Sequence, residues 1–328
     1  MPTEPAEPPD WSRDLTFTPR VLLFTVILFL IFPVCVAVAN NLLTSSGFFA
    51  WFYGPERVLL AQDTDQTDWR AELIRARLSL WTVPAAFPFW VASVAVLLRW
   101  TRLVAPADIG LTLRGAPRNL LLGVVVAVLL TPLVLAVNFA AVWFFKDVLQ
   151  CPVQEHPLAF AGQHGLSVVE WLLLAFAVTV SAPVWEEILF RGALQRLFVE
   201  HAWASHFGVC AALLLALARR PPADVRFTDS LHLMLANLPV LFVAAMVPVY
   251  LIVYLLSKTN RDPAVFATAL LFAATHSFAW PTPIALFVLG LGLGELAQRT
   301  RSLVAPIVLH SLFNAASYVL LVTGWGGS

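Results

Sequence analysis

The sequence predicts an all-α fold, a polytopic transmembrane helical bundle of eight or nine spans, and three observations carry that expectation. Of 328 residues, 59% are hydrophobic and only 12% charged, whereas a soluble domain carries roughly 25% charged residues. Mean hydropathy is +0.80. Several apolar stretches reach the roughly 20 residues needed to cross a hydrocarbon core of about 30 Å. Lipid offers the backbone no hydrogen-bond partners, so each such stretch is expected to be a helix.

Taken in order, residues 1–20 are proline-rich and carry Glu4, Glu7, Asp10 and Asp14 beside Arg13 and Arg20, a composition that predicts a disordered cytoplasmic tail. The next apolar run ends in Ala37-Val38-Ala39, which resembles a cleavage site. It is longer than a signal-peptide core and its leader is not basic, so an uncleaved first span is expected. Spans are expected near 21–43, 79–98, 119–145, 167–185, 204–218, 237–257, 263–279, 282–297 and 303–323. The stretch 204–218 is short enough to be re-entrant. Residues 56–78 alternate apolar and charged positions and predict an amphipathic helix on the membrane surface. Residues 105–118 read as a polar connector and 219–229 as an inserted loop. The organisation expected is a tail (1–20), N-terminal spans with an amphipathic loop (21–114) and a core (115–323).

Formal net charge is zero and no run of five or more basic residues occurs, which leaves nucleic acid without an electrostatic footprint as a partner. The lipid bilayer is the partner the composition requires. Cys35, Cys151 and Cys210 are scattered and odd in number, which fits neither a disulfide framework nor a cysteine zinc site. With nine alternating spans, more of the Lys and Arg fall on the side of the amino terminus, which places that side in the cytoplasm. His156, His164, His201, His206 and His232 are expected in or beside loops.

Chemistry is concentrated in three apolar segments. Trp185-Glu186-Glu187-Ile188-Leu189-Phe190-Arg191 sets two carboxylates and a guanidinium at the end of, or within, a span, where a charge costs roughly 2.5–3.5 kcal/mol at mid-depth. Glu187 and Arg191 are four apart and face one another on a helix. Glu186 lies about 100° round the helix and is free to point elsewhere. Phe272-Ala273-Ala274-Thr275-His276 ends an alanine-rich run, and His310 and Asn314 share one face of the last span. Between them Gly290, Gly292 and Gly294 permit close helix packing. Each piece has a plain reading: a topology anchor, a hydrogen-bonded helix tip, an interhelical polar pair. Their order and spacing together point to chemistry.

That combination resembles the CPBP family of intramembrane endopeptidases, which includes the type II CAAX prenyl endopeptidases and the bacterial Abi proteins. Its Glu-Glu-x-x-x-Arg, Phe-x-x-x-His and His-x-x-x-Asn/Asp motifs are matched by Glu186, Glu187 and Arg191, by Phe272 and His276, and by His310 and Asn314. The resemblance covers about residues 115–323. It implies hydrolysis of a peptide bond in a membrane-anchored or lipidated protein or peptide, in a multi-pass protein of a bacterial inner membrane. Glu186 and His276 would activate water, His310 and Asn314 would stabilise the oxyanion, and Glu187, Arg191 and Phe272 would support them. It also leaves open a Zn2+ ion held by Glu186, His276 and His310, since one carboxylate and two imidazoles can supply three zinc ligands. A catalytically inactive membrane scaffold or immunity protein of the same fold, and a small transporter, are the alternatives from other classes.

Overall fold

The computed structural model describes residues 19–63, 69–101, 103–151, 157–218 and 237–324. The tail up to residue 18, the inserted loop at 219–229, His156 and His232 lie outside the described residues. Those residues contain twelve helices and no strand. They are α1 (Pro19–Ser45), α2 (Phe48–Tyr53), α3 (Pro55–Gln62), α4 (Trp69–Thr101), α5 (Ala116–Val148), α6 (Pro157–Gln163) and α7 (Val168–Glu200). After these come α8 (Ala202–Ala218), α9 (Leu238–Leu256), α10 (Arg261–Thr275), α11 (Thr282–Thr300) and α12 (Val304–Val322).

Among the described residues, α1, α4, α5, α7, α9 and α12 are long and apolar enough to cross a membrane. Their outer faces stay uncovered: Phe29 and Leu30 on α1, Val128 and Leu129 on α5, and Leu255 and Leu256 on α9 are all exposed. A contiguous apolar surface of this kind fits lipid. The shorter α8 and α10 and the more polar α11 run beside these six. α10 sits innermost, between α7, α8, α9 and α11, and every residue from Pro263 to Ala274 is buried. At one end of the bundle the Asn260 side chain donates to Val199 O (3.1 Å) and Leu303 N–H to Gly110 O (2.9 Å). At the other, Arg77 donates to the carbonyls of His164 and Gly165 (3.0 and 2.9 Å).

Two boundaries and the place of one side chain differ from expectation, each for a physical reason. The fourth expected span, ending near 185, continues to Glu200 as a helix of 33 residues, because the charges that lower its hydropathy have partners inside the bundle. Residues 56–78 do not form one surface helix: α3 covers the first part, and α4 begins at Trp69. α4 takes Arg70, Glu72, Arg75 and Arg77 into its first turns. His206 is on α8 rather than in a loop, where its Nδ1 bonds the Tyr250 hydroxyl at 2.7 Å.

α7 starts where Ser167 caps it. The Ser167 Oγ accepts from the Glu170 N–H (3.4 Å) and Glu170 Oε2 accepts from the Ser167 N–H (2.7 Å), a reciprocal capping box. The other oxygen, Oε1, accepts from the Tyr53 hydroxyl at 2.8 Å. Burial, with the Glu170 carboxylate beside it, pushes the Tyr53 phenol up from its usual value, so it remains a donor and ties α2 to the start of α7.

The glycines of α11 face three neighbours. A Cβ on Gly290 would stand 3.0 Å from Ala269 on α10, one on Gly294 would stand 2.9 Å from the Gln195 Oε1 of α7, and one on Gly292 would meet Leu130 of α5. The tightest approach to a backbone atom is at Gly123 on α5, where a Cβ would lie 2.7 Å from Ala305 O and 2.8 Å from Val308 Cβ of α12. Gly123→Ala is therefore expected to separate α5 from α12 and destabilise by about 1–3 kcal/mol, the usual range for overpacking. Unfolding of the purified protein in detergent checks this; an unchanged midpoint would contradict the packing.

Candidate active site

The acid pair sits in the interior of α7. At 1.5 Å per residue, Glu186 is about 27 Å from the start of that helix and about 21 Å from its end. Two wide π turns, Ala177–Ser181 and Ile188–Leu194, bracket the six-residue segment Ala182–Glu187 that carries both carboxylates. Such turns rotate side chains relative to a regular α-helix and recur at functional sites.

Glu187 is fully buried and Arg191 is 2% exposed, and Arg191 Nη1 donates to Glu187 Oε1 at 3.0 Å. The guanidinium also donates from Nη2 to Gly290 O of α11 (3.3 Å) and stands 4.8 Å from the centre of the Phe272 ring. The same Glu187 oxygen receives His310 Nδ1 at 2.9 Å. A carboxylate oxygen only accepts, so the Nδ1 position of His310 carries the proton. This second partner of Glu187 lies 123 residues away. The i, i+4 spacing identifies only Arg191.

With Nδ1 committed, the opposite ring edge of His310 is turned to Glu186: Nε2 stands 3.7 Å from Glu186 Oε2. His310 is buried, while the Glu186 side chain keeps 12% of its surface. Glu186, Glu187, Arg191 and His310 thus form one ionisable cluster joining α7 to α12.

His276 follows the last residue of α10 and is half-buried. Its Nδ1 is 3.0 Å from Phe272 O. The Thr275 hydroxyl lies 3.2 Å from the same nitrogen and donates to Phe272 O at 2.7 Å; in the tautomer with Nδ1 donating to the carbonyl, Nε2 presents its lone pair. The Phe272 ring meets both imidazoles edge-to-face, with centroids 5.1 Å from His276 and 5.6 Å from His310.

Asn314, one turn beyond His310, donates from Nδ2 to Val178 O at 2.7 Å. One amide N–H of this residue is therefore spent on α7 and does not reach toward Glu186.

One carboxylate and two imidazoles are of the right kind for zinc. Among the described residues, however, no three His, Cys, Asp or Glu side chains gather into a group that could hold a metal ion. As they stand, Glu186, His276 and His310 do not fit a resident zinc.

A cleft of about 260 Å³ opens beside the first turn of α12, lined by Gly110 to Leu113, Leu303, Val304 and Ile307. Ile307 is three residues from His310.

Residues 168–316 match the family described as Type II CAAX prenyl endopeptidase Rce1-like. That segment holds all seven of the residues in the three motifs. No curated protein and no solved structure gives a match.

Proposed function

Because residues 168–316 match the Rce1-like family of type II CAAX prenyl endopeptidases, a family of proteases, we propose that the chain is an intramembrane endopeptidase. Its substrate would be a membrane-anchored or lipidated protein or peptide, and Glu186, His276 and His310 would carry the reaction. The observation that bears most weight is the 3.7 Å approach of Glu186 Oε2 to His310 Nε2 across α7 and α12. It places a carboxylate and an imidazole edge on the same small space, inside an otherwise apolar bundle. A topology anchor has no use for this, because its charges reach out to the interface.

In the proposed reaction, water bound at Glu186 loses a proton to that carboxylate, with the bare Nε2 of His276 as second acceptor, and its oxygen adds to the scissile carbonyl carbon. The oxyanion is met by His310, whose imidazolium form donates from Nε2 while Glu187 holds its Nδ1–H. Collapse breaks the C–N bond, and the amine leaves with the proton from Glu186. Glu187 and Arg191 neutralise one another, as do Glu186 and protonated His310, so the cluster stays close to net neutral in a medium hostile to charge. The bundle end rich in basic residues, where α12 begins, is the proposed cytoplasmic side.

No step requires a metal. Zinc analysis of the purified protein and a cleavage assay after prolonged chelation test this, with cleavage expected to persist. A loss of cleavage restored specifically by zinc would show that the three donors close around an ion.

A further inference from the structure

The bond from Asn314 to Val178 has its cause in the helix it reaches. In the π turn Ala177–Ser181 the Ala182 N–H is given to Ala177 O, five residues back. In the same register the Val178 carbonyl would take its donor from residue 183. That residue is proline, which has no N–H. The carbonyl is thus left without a helical donor inside a membrane span, where the hydrocarbon core supplies no water to replace it. Nδ2 of Asn314 supplies the bond instead, at 2.7 Å. The assignment of the amide is unambiguous, since a carbonyl can only accept.

Pro183 is three residues from Glu186, and Asn314 is four from His310. The cross-helix bond therefore lies about one turn from the Glu186–His310 approach on α12 and, at Val178, about two turns from it on α7, with Pro183 between. We propose that Pro183 and Asn314 form a single positioning device: proline vacates the Val178 carbonyl and asparagine fills it, setting the spacing of α12 against α7 at the reacting pair. Asn314 is then a positioning residue that acts through Glu186 and His310, one of its two amide N–H groups being given to Val178 O. The kinetic consequence rests on the protease reading above; the hydrogen-bond exchange itself does not.

The device predicts a rescue. Pro183→Ala returns an N–H to position 183, so the helix can satisfy Val178 O by itself, in either the π or the α register. Asn314→Ala alone is expected to lower kcat on the order of 10-fold to 100-fold, as for a buried acceptor left unpaired, with KM unchanged and a lower unfolding midpoint. Pro183→Ala combined with Asn314→Ala should recover most of both losses. Asn314→Leu, which keeps much of the shape but has no donor, should behave like the alanine variant and be rescued in the same way. The measurements use the full chain in lipid nanodiscs, with a membrane-anchored peptide for cleavage and thermal unfolding for stability. A double variant as impaired as Asn314→Ala in both readouts would overturn the proposal, because an oxyanion donor or metal ligand cannot be replaced by a backbone N–H on α7 that is given to Val178 O. If the wild-type protein cleaves no peptide, the protease reading falls alone: non-additive unfolding midpoints would still support the exchange, and additive ones would overturn it.

Discussion

Glu186→Gln is expected to slow hydrolysis by about 10²- to 10⁴-fold, the range for loss of a general base, while leaving the protein folded and inserted. Gln keeps the shape and can still accept a hydrogen bond, but it cannot take a proton from water. Glu186 is the acid of the pair with residual exposure, and its contact with His310 is 3.7 Å, longer than a hydrogen bond, so the substitution breaks no short bond in the core. The assay is cleavage of a panel of membrane-anchored peptides by wild type and variant at equal folded concentration. Equal rates would remove Glu186 from the mechanism. A wild-type protein inert toward the whole panel, yet binding a partner's membrane helix, would favour the scaffold reading.

Glu187→Gln should show the opposite pattern, a loss of fold. Glu187 has no exposed surface, and its Oε1 accepts from both Arg191 and His310. Removing its charge strands a guanidinium that is itself 2% exposed, and breaking one side of a buried pair costs about 3–5 kcal/mol. Removing both charges is different: Glu187→Leu with Arg191→Met replaces the pair by apolar groups and should regain much of the stability. That double variant still lacks the acceptor for His310 Nδ1, so cleavage should remain low. Unfolding in detergent and peptide cleavage, measured on the same preparations, separate the two roles. A Glu187→Gln protein as stable as wild type would show that Arg191 has another counter-charge.

The membrane class of the fold was legible because composition and run length answer directly to the bilayer. The helix boundaries that hydropathy misplaced are those where charge is paired internally: the windows around Glu186 and Arg191 look polar, but the helix runs on to Glu200. The close faces of α11 could be anticipated from Gly290, Gly292 and Gly294, since small residues at that spacing serve little else in a span. Within the site, contacts local in sequence were readable. The Glu187–Arg191 bond follows from the helical repeat, whereas the His310–Glu187 bond joins residues 123 apart and no periodicity encodes it. The π turns that bracket the acids leave no simple mark either, because the same residues fit an α-helix.

Two further features went unread for different reasons. Glu170 is an ordinary capping-box residue by sequence, and nothing local shows that its second oxygen binds Tyr53, 117 residues earlier. That bond couples the first hundred residues, which carry no family motif, to the first turn of the helix that holds the acids. Asn314 was assigned to the oxyanion by resemblance. Its commitment to Val178 O depends on Pro183 and on a π turn, a conjunction that becomes visible only once α7 and α12 are set side by side.

The burial of α10 has a consequence for how the protein meets membranes of different thickness. Its 15 residues span about 22 Å at 1.5 Å per residue, well short of a hydrocarbon core of about 30 Å. A lipid-facing helix so short would impose a hydrophobic mismatch, relieved by thinning or tilt. From Pro263 to Ala274, however, α10 presents no surface to lipid. Adaptation therefore falls to the outer helices, of which α4, α5 and α7 have 33 residues each and length enough to tilt. Phe272 and His276 ride on a strut shielded from bilayer thickness, while Glu186 and His310 are carried by helices that meet the lipid directly, so thickness acts on the spacing between the two histidines rather than on either one alone.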